Sequence, residues 1–264
     1  MNEQNTVISV QNLTCGYDDT VIVEDVSFDI KQGEIFIILG GSGCGKSTLL
    51  KNMIGLMQPM AGQVFYGDDE LTTAFGAKRD SIIRKFGVMY QMGALFGSMS
   101  LLQNVMLPLE EFTDLPREAM TLIAKSKLAM VNLENATYKM PAALSGGMKK
   151  RAAIARAMAL DPSILFLDEP GAGLDPISSA ALDELILDLS QNLGITFVIV
   201  THELESIYKI ADRVIMLDKD VKSIVAEGDP KELRDTSENQ FVRGFFLRQP
   251  TLEAVEDTDA HTAK

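Results

Sequence analysis

The sequence predicts an α/β fold: a mainly parallel sheet covered on both faces, a smaller antiparallel sheet ahead of it, and a helical insertion in the middle. Three observations carry this. Residues 35–39 (IFIIL) are a continuously apolar run of strand length that leads directly into a glycine-rich turn and a helix-type pattern. Residues 7–30 instead alternate apolar and polar positions, as half-exposed strands do. From about 92 to 160 the pattern turns helical, and the apolar runs ILFLDEP, ITFVIVTH and RVIMLDKD follow with helical stretches between them.

Taken in order, VISVQNLTCGY and VIVEDVSFDI read as two strands and EIFIILG as a third, buried on both faces. Residues 47–57 (STLLKNMIGLM) read as a helix closed by the proline and glycine of QPMAG. Strands are expected again at 63–66 and 87–90. LPREAMTLIAKSKLAMVNL is expected to form a helix with Pro116 at an early helical position, and SGGMKKRAAIARAMALD another. The domain expectation is one bilobed unit over 5–235, its helical part spanning about 92–160, and an extension over 236–264. In that extension Phe241, Phe245, Phe246 and Leu247 form an apolar cluster expected to dock on the core or on a neighbouring subunit. Residues 251–264, with Glu253, Glu256, Asp257 and Asp259 against Lys264, are expected to be disordered.

Composition bounds the function. Apolar residues make up 46% of the 264, enough for a substantial core. The net charge of −13, from 24 basic and 37 acidic residues, argues against nucleic acid as the partner and against electrostatic adhesion to anionic lipid. Two cysteines, Cys15 and Cys44, cannot make a disulfide framework, so a reducing compartment is expected. The opening MNEQNTVISV has neither a basic nor an apolar signal region. No apolar run approaches the roughly 20 residues of a membrane span, so work at a membrane requires a partner chain.

The chemistry is concentrated in three places. Gly40, Gly41, Ser42, Gly43, Cys44, Gly45, Lys46, Ser47 and Thr48 fit the pattern G-x-x-x-x-G-K-[ST], between a buried strand and a helix. Glycines let backbone N–H groups close around phosphate oxygens, and the helix N-terminus adds positive potential. Lys46 is then placed to hold the β and γ phosphates and Ser47 to bind Mg²⁺. Second, the run ILFL ends in Asp168 and Glu169. After a phosphate loop these read as a Mg²⁺ carboxylate, acting through the metal's water shell, and a group polarising the attacking water. Third, Ser145, Gly146 and Gly147 open a helix with an N-cap and exposed backbone donors. The following Lys149, Lys150 and Arg151 read as a solvated basic face.

These motifs in this order resemble the nucleotide-binding subunit of ATP-binding cassette (ABC) transporters. The resemblance covers about 7–235: the phosphate loop, a segment centred on Gln91, LSGGM at 144–148, ILFLDEP, GLDP at 173–176, and Thr201-His202. It implies the ABC ATPase fold, a RecA-like phosphate-loop core with an antiparallel β subdomain and a helical subdomain. It also implies a homodimer in which Ser145, Gly146, Gly147 and Asp175 of one subunit meet the ATP bound by the other. By the same resemblance Tyr17 stacks on adenine, Gln91 touches Mg²⁺, and His202 holds the γ-phosphate and the water. Met148 in the LSGGM turn, the segment 87–105 and DEPGAGLDPI are similar to the ATPases of Mla/Mce-type systems, which move phospholipid between bacterial membranes; Tyr90, where phenylalanine is commoner, departs from them. That resemblance implies a permease dimer, an Mce-domain lipid-binding protein and a small cytoplasmic accessory subunit as partners, at the cytoplasmic face of the inner membrane. The alternatives are a transporter for another solute and a cassette ATPase outside transport. Met89, Met92, Met99 and Met106 are expected to offer a flexible apolar surface to the permease.

Overall fold

A computed structural model describes residues 5–248. The chain opens with the hairpin β1 (Thr6–Tyr17) and β2 (Thr20–Lys31), then β3 (Ile35–Gly40) and α1 (Lys46–Met53). There follow β4 (Ala61–Tyr66), β5 (Asp69–Glu70), α2 (Gly76–Ile83) and β6 (Phe86–Met89). The helical part contains α3 (Leu101–Phe112), α4 (Arg117–Met130) and α5 (Gly146–Ala157). The second half runs β7 (Ile164–Asp168), α6 (Pro176–Leu193), β8 (Thr196–Val200), α7 (Leu204–Ile210), β9 (Arg213–Leu217) and β10 (Ile224–Gly228). It closes with α8 (Pro230–Thr236) and α9 (Gln240–Leu247).

Two sheets form, in the orders β2-β1-β4-β5 and β10-β9-β3-β8-β7-β6. The first is antiparallel throughout. In the second, β3, β6, β7, β8 and β9 run parallel, and only the edge strand β10 is antiparallel. Alternation along each central strand feeds two cores. Phe36, Ile38, Phe166, Val198 and Ile215 face the antiparallel sheet and α1. Ile37, Leu39, Leu165, Phe197, Ile199 and Val214 face the helices. A strand buried on both faces must be apolar at every position, which is why IFIIL carries no polar residue. Because β3, β6, β7 and β8 are parallel, their carboxyl ends share one edge. The loops that leave that edge are where ligands bind in such sheets.

Several expectations need correction. The first helix ends at Met53 rather than near 57: Gly55 takes φ 71°, and Leu56 and Met57 both turn their N–H groups back to the Lys51 carbonyl. Pro116 is the N-cap of α4, outside the helix, since its φ of −64° is paired with an extended ψ of 149°. β5, α2 and β10 had no clear signal in the sequence. The apolar cluster near the end lies on this chain's own core: Val242 and Phe246 are buried, and the Tyr208 hydroxyl donates to the Phe246 carbonyl at 3.2 Å. Leu247 stays largely exposed. The disorder expected for 251–264 lies outside the described residues.

Candidate nucleotide site

The loop between β3 and α1 is shaped by its glycines. Gly40 sits at φ 144° and Gly45 at φ 101°. A Cβ on Gly45 would stand 2.4 Å from Val23 Cγ2, so the turn is possible only without a side chain there. Gly45 caps α1 without a side-chain hydrogen bond, and no acidic residue occupies the first turn. The first N–H groups of α1 are therefore free for an anion. Lys46 Nζ donates to the carbonyls of Gly40 at 2.8 Å and Gly41 at 2.9 Å, which holds the ammonium at the mouth of the loop. Cys44 is buried, and burial raises its thiol pKa; it is a packing residue.

Across the same cleft stand the ends of β7 and β8. Glu169 directly follows β7 with φ 47°, a left-handed conformation uncommon for residues other than glycine, asparagine and aspartate. Its N–H donates to the Val200 carbonyl at 2.8 Å. Its Oε1 lies 2.9 Å from His202 Nδ1, a ring that is itself largely open to the cleft. Strand alternation therefore does not decide where this side chain goes, because the strand ends one residue earlier. Asp168 has its pKa raised, first by burial and then by the charge of Glu169. Asp168 Oδ1 and Glu169 Oε2 are buried acceptors without a hydrogen-bond partner. Two such atoms beside a phosphate loop fit a hydrated cation and a water molecule.

A cleft of about 1090 Å³ joins these parts. Gly40, Gly41, Ser42, Gly43, Lys46 and Ser47 line it at one end, and Gln91, Glu169 and His202 face them. Asp168 is not part of this lining; the charges of Lys51, Lys150 and Lys46 oppose its rise in pKa. Among the described residues no group of three or more His, Cys, Asp or Glu side chains could hold a metal. The donor set expected for Mg²⁺ is of another kind, one hydroxyl (Ser47), one amide (Gln91) and one carboxylate (Asp168), which suits a hard cation that also takes phosphate oxygens and water.

The remaining expected site residues fall elsewhere. Ser145 caps α5 by accepting from the Met148 N–H at 3.3 Å, and Asp175 caps α6 by accepting from Ile177 and Ser178. Gly146 and Gly147 pack beside Leu174 and Ser178, so Ser145, Gly146, Gly147 and Asp175 lie together outside the cleft lining, next to Leu174, which does line it. Tyr17, at the end of β1, is also outside the cleft lining. Its hydroxyl lies 3.4 Å from Thr48 Oγ1, a hydrogen bond that lowers its pKa.

Sequence reasoning missed four things here. Lys150 is not a solvated residue: it is 7% exposed and donates to the carbonyls of Gln91 and Glu169. Burial lowers its pKa against the opposing charges of Glu169, Glu203 and Asp168. Arg151 is likewise engaged, bonding the Val131 carbonyl at the end of α4. Glu203 lines the cleft beside Gly171, where a Cβ would sit 2.3 Å from its carboxylate. The expected methionine surface also changes. Met89 and Met106 are core residues at 0% and 2% exposure, whereas Met92 at 89% and Phe96 at 54% are exposed.

An anion loop at the head of a helix, opposed by a carboxylate–imidazole pair at the carboxyl edge of a parallel sheet, defines a phosphate-loop nucleotide hydrolase. Comparison with known families gives the rest. The ABC transporter family pattern matches residues 23–172, and the chain belongs to that family. Over 239 residues it is 40% identical to the "probable ribonucleotide transport ATP-binding protein mkl" of Mycobacterium leprae, covering 90% of this chain and 68% of the relative. It is 36% identical over 241 residues to the intermembrane phospholipid transport system ATP-binding protein MlaF of Haemophilus influenzae, covering 90% of each chain. It is 34% identical over 242 residues to MlaF of Escherichia coli, covering 90% of this chain and 89% of that one. Among solved structures, a dimeric ATP-binding cassette bound to ADP and Pi superposes with TM-score 0.76 at 30% identity, over 84% of this chain and 98% of that one. Another, cbiO1 of Clostridium perfringens, gives TM-score 0.79 at 28% identity over 97% of this chain and all of that one. The fold is thus that of the ABC ATPases, and the chain is an ATP-binding transporter subunit that hydrolyses ATP with Mg²⁺. Among the described residues no helix is long and apolar enough to cross a membrane.

Proposed function

We propose that this chain is the motor subunit of a transporter that moves phospholipid between two membranes, working as a homodimer against a permease dimer and an Mce-domain lipid-binding protein. In this reading the cassette spans 5–235, with its helical subdomain at about 92–160, and 236–264 is an extension. A small cytoplasmic accessory subunit is a further partner, and the site of action is the cytoplasmic face of an inner membrane. The observation that carries the lipid reading is relatedness to MlaF over nine tenths of both chains, rather than over the cassette core alone. The LSGGM turn supports it.

The cleft supports a division of labour. The loop N–H groups from Gly40 to Thr48 and the Lys46 ammonium bind the β and γ phosphates, giving up the Gly40 and Gly41 carbonyls that Lys46 now holds. Bound Mg²⁺, held by Ser47 and Gln91 and through water by Asp168, would neutralise charge on the phosphates. Glu169 polarises the attacking water, and His202, 2.9 Å from it, fixes the carboxylate and contacts the γ-phosphate. Ser145, Gly146, Gly147 and Asp175 lie on the surface a second copy would use, and Tyr17 is assigned to the adenine. ATP at the seam then favours closure because its phosphates gain contacts only in the closed pair.

The test is purification of the native complex followed by mass spectrometry of its lipids. Phospholipid held in stoichiometric amount supports the reading. A complex that carries no lipid and whose ATPase responds to a soluble solute, such as the ribonucleotide named for the mycobacterial relative, overturns it.

A further inference from the structure

We propose that Lys150 is a positioning residue for ATP hydrolysis: its ammonium ties the backbone of Glu169 to the segment that carries Gln91 and fixes both to α5. The proposal rests on the roles given above to Glu169 and Gln91. Lys150 Nζ bridges two carbonyls from different parts of the chain, that of Gln91 and, at 3.1 Å, that of Glu169. One helical turn and a half further along α5, Arg156 donates to the carbonyls of Gly93 at 2.9 Å and Ala94 at 2.7 Å. The segment 91–94 is therefore held at both ends by cations of one helix.

A second observation points the same way. Glu169 and Ala94 are non-glycine residues in left-handed conformation, with φ 47° and 48°. Such positions persist only where the surroundings over-determine them, and in both cases a cation of α5 bonds the carbonyl. A buried ammonium is itself tolerated only when its donors are used and its charge is answered. Lys150 spends two of its three donors on these carbonyls, and the carboxylates of Glu169, Glu203 and Asp168 oppose the fall in its pKa. An apolar side chain of similar length fills the space but holds neither carbonyl. The first turn of α5 is the Ser145–Gly147 turn, so a pull on that turn reaches the catalytic carboxylate through a single rigid helix.

The experiment compares full-length wild type with Lys150→Arg, Lys150→Gln and Lys150→Met, with Glu169→Gln as reference. Steady-state ATPase, nucleotide affinity by titration with a non-hydrolysable ATP analogue, and thermal unfolding are read for each. A misplaced carboxylate typically costs about 100-fold in rate. Lys150→Met should therefore lose about that factor in kcat with analogue affinity within about 3-fold of wild type. Lys150→Arg should recover most of the rate, with Lys150→Gln between. Equal kcat in all folded Lys150 variants overturns the proposal, as does a loss carried entirely by KM. If Lys150→Met does not fold, the order of Arg above Gln decides, and its absence refutes the proposal. Glu169→Gln separates the two claims. If it retains wild-type turnover, the reading of Glu169 fails and this proposal with it. If it is inactive while Lys150→Met is fully active, only the role of Lys150 fails.

Discussion

Two adjacent glycines of the phosphate loop should behave oppositely when replaced by alanine. Gly40 ends β3 at φ 144°, which L residues rarely adopt. A Cβ there would stand 2.4 Å from the Leu217 carbonyl oxygen and 2.5 Å from Cys44 Sγ. Leu217 is the register partner of Gly40 on β9, so its carbonyl cannot retreat without opening the sheet. Backbone strain of about 1–3 kcal/mol and overpacking of about 1–3 kcal/mol together centre near 4 kcal/mol. At about 2–4 °C per kcal/mol for a chain of this size, Gly40→Ala should lower Tm by roughly 8–16 °C. Gly41 has no positive φ, and a Cβ on it meets nothing within 4 Å. Gly41→Ala should leave Tm within about 2 °C, the usual range for a surface change, while weakening ATP binding, because it lines the cleft. The assay is thermal unfolding followed by circular dichroism without nucleotide, paired with analogue titration. Equal melting temperatures for the two variants would refute the reasoning.

Other perturbations follow from the same geometry. Glu169→Gln should bind ATP with near wild-type affinity, lose at least about 100-fold in kcat, and accumulate as an ATP-bound dimer visible by size-exclusion chromatography with light scattering. Phe246→Ala removes a ring that is 3% exposed and packs on Tyr208 at 6.0 Å; it should cost about 3–5 kcal/mol in denaturant unfolding. Asp168→Asn should stabilise the nucleotide-free, metal-free chain. A carboxyl whose folded pKa is raised by burial and by Glu169 contributes stability while protonated and loses it as pH rises through the folded pKa. The gain from Asn is therefore largest above the folded pKa and vanishes below about pH 4, where the unfolded carboxyl is also protonated. Melting curves from pH 3 to 8 check this, and a gain that grows toward acid would contradict it.

What the sequence made legible was local. The phosphate loop, the buried β3 and the acids after ILFL are each defined by neighbours within a few residues, and each stands where the pattern put it. Residues whose role depends on distant packing were not legible. Met89 and Met106 share a residue type with Met92, but only the fold decides that the first two face the helical core and the third faces outward. Lys150 sits in a basic run that looks solvated; its partners lie at Gln91 and Glu169, separations no periodicity reports. β10 was obscure because an edge strand with half-exposed residues has neither strict alternation nor an apolar run. The pairing of Glu169 with His202 could be anticipated from the family resemblance, but its distance depends on the left-handed turn after β7, which a carboxylate does not advertise.

The central claim, that ATP hydrolysis in this cleft drives phospholipid movement, is tested most directly by reconstitution. The native complex, placed between donor and acceptor vesicles containing fluorescent phospholipid, should transfer lipid in the presence of Mg²⁺ and ATP. The same complex carrying Glu169→Gln should not. Wild-type hydrolysis of ATP with no lipid transfer, under conditions where another solute stimulates turnover, would contradict it.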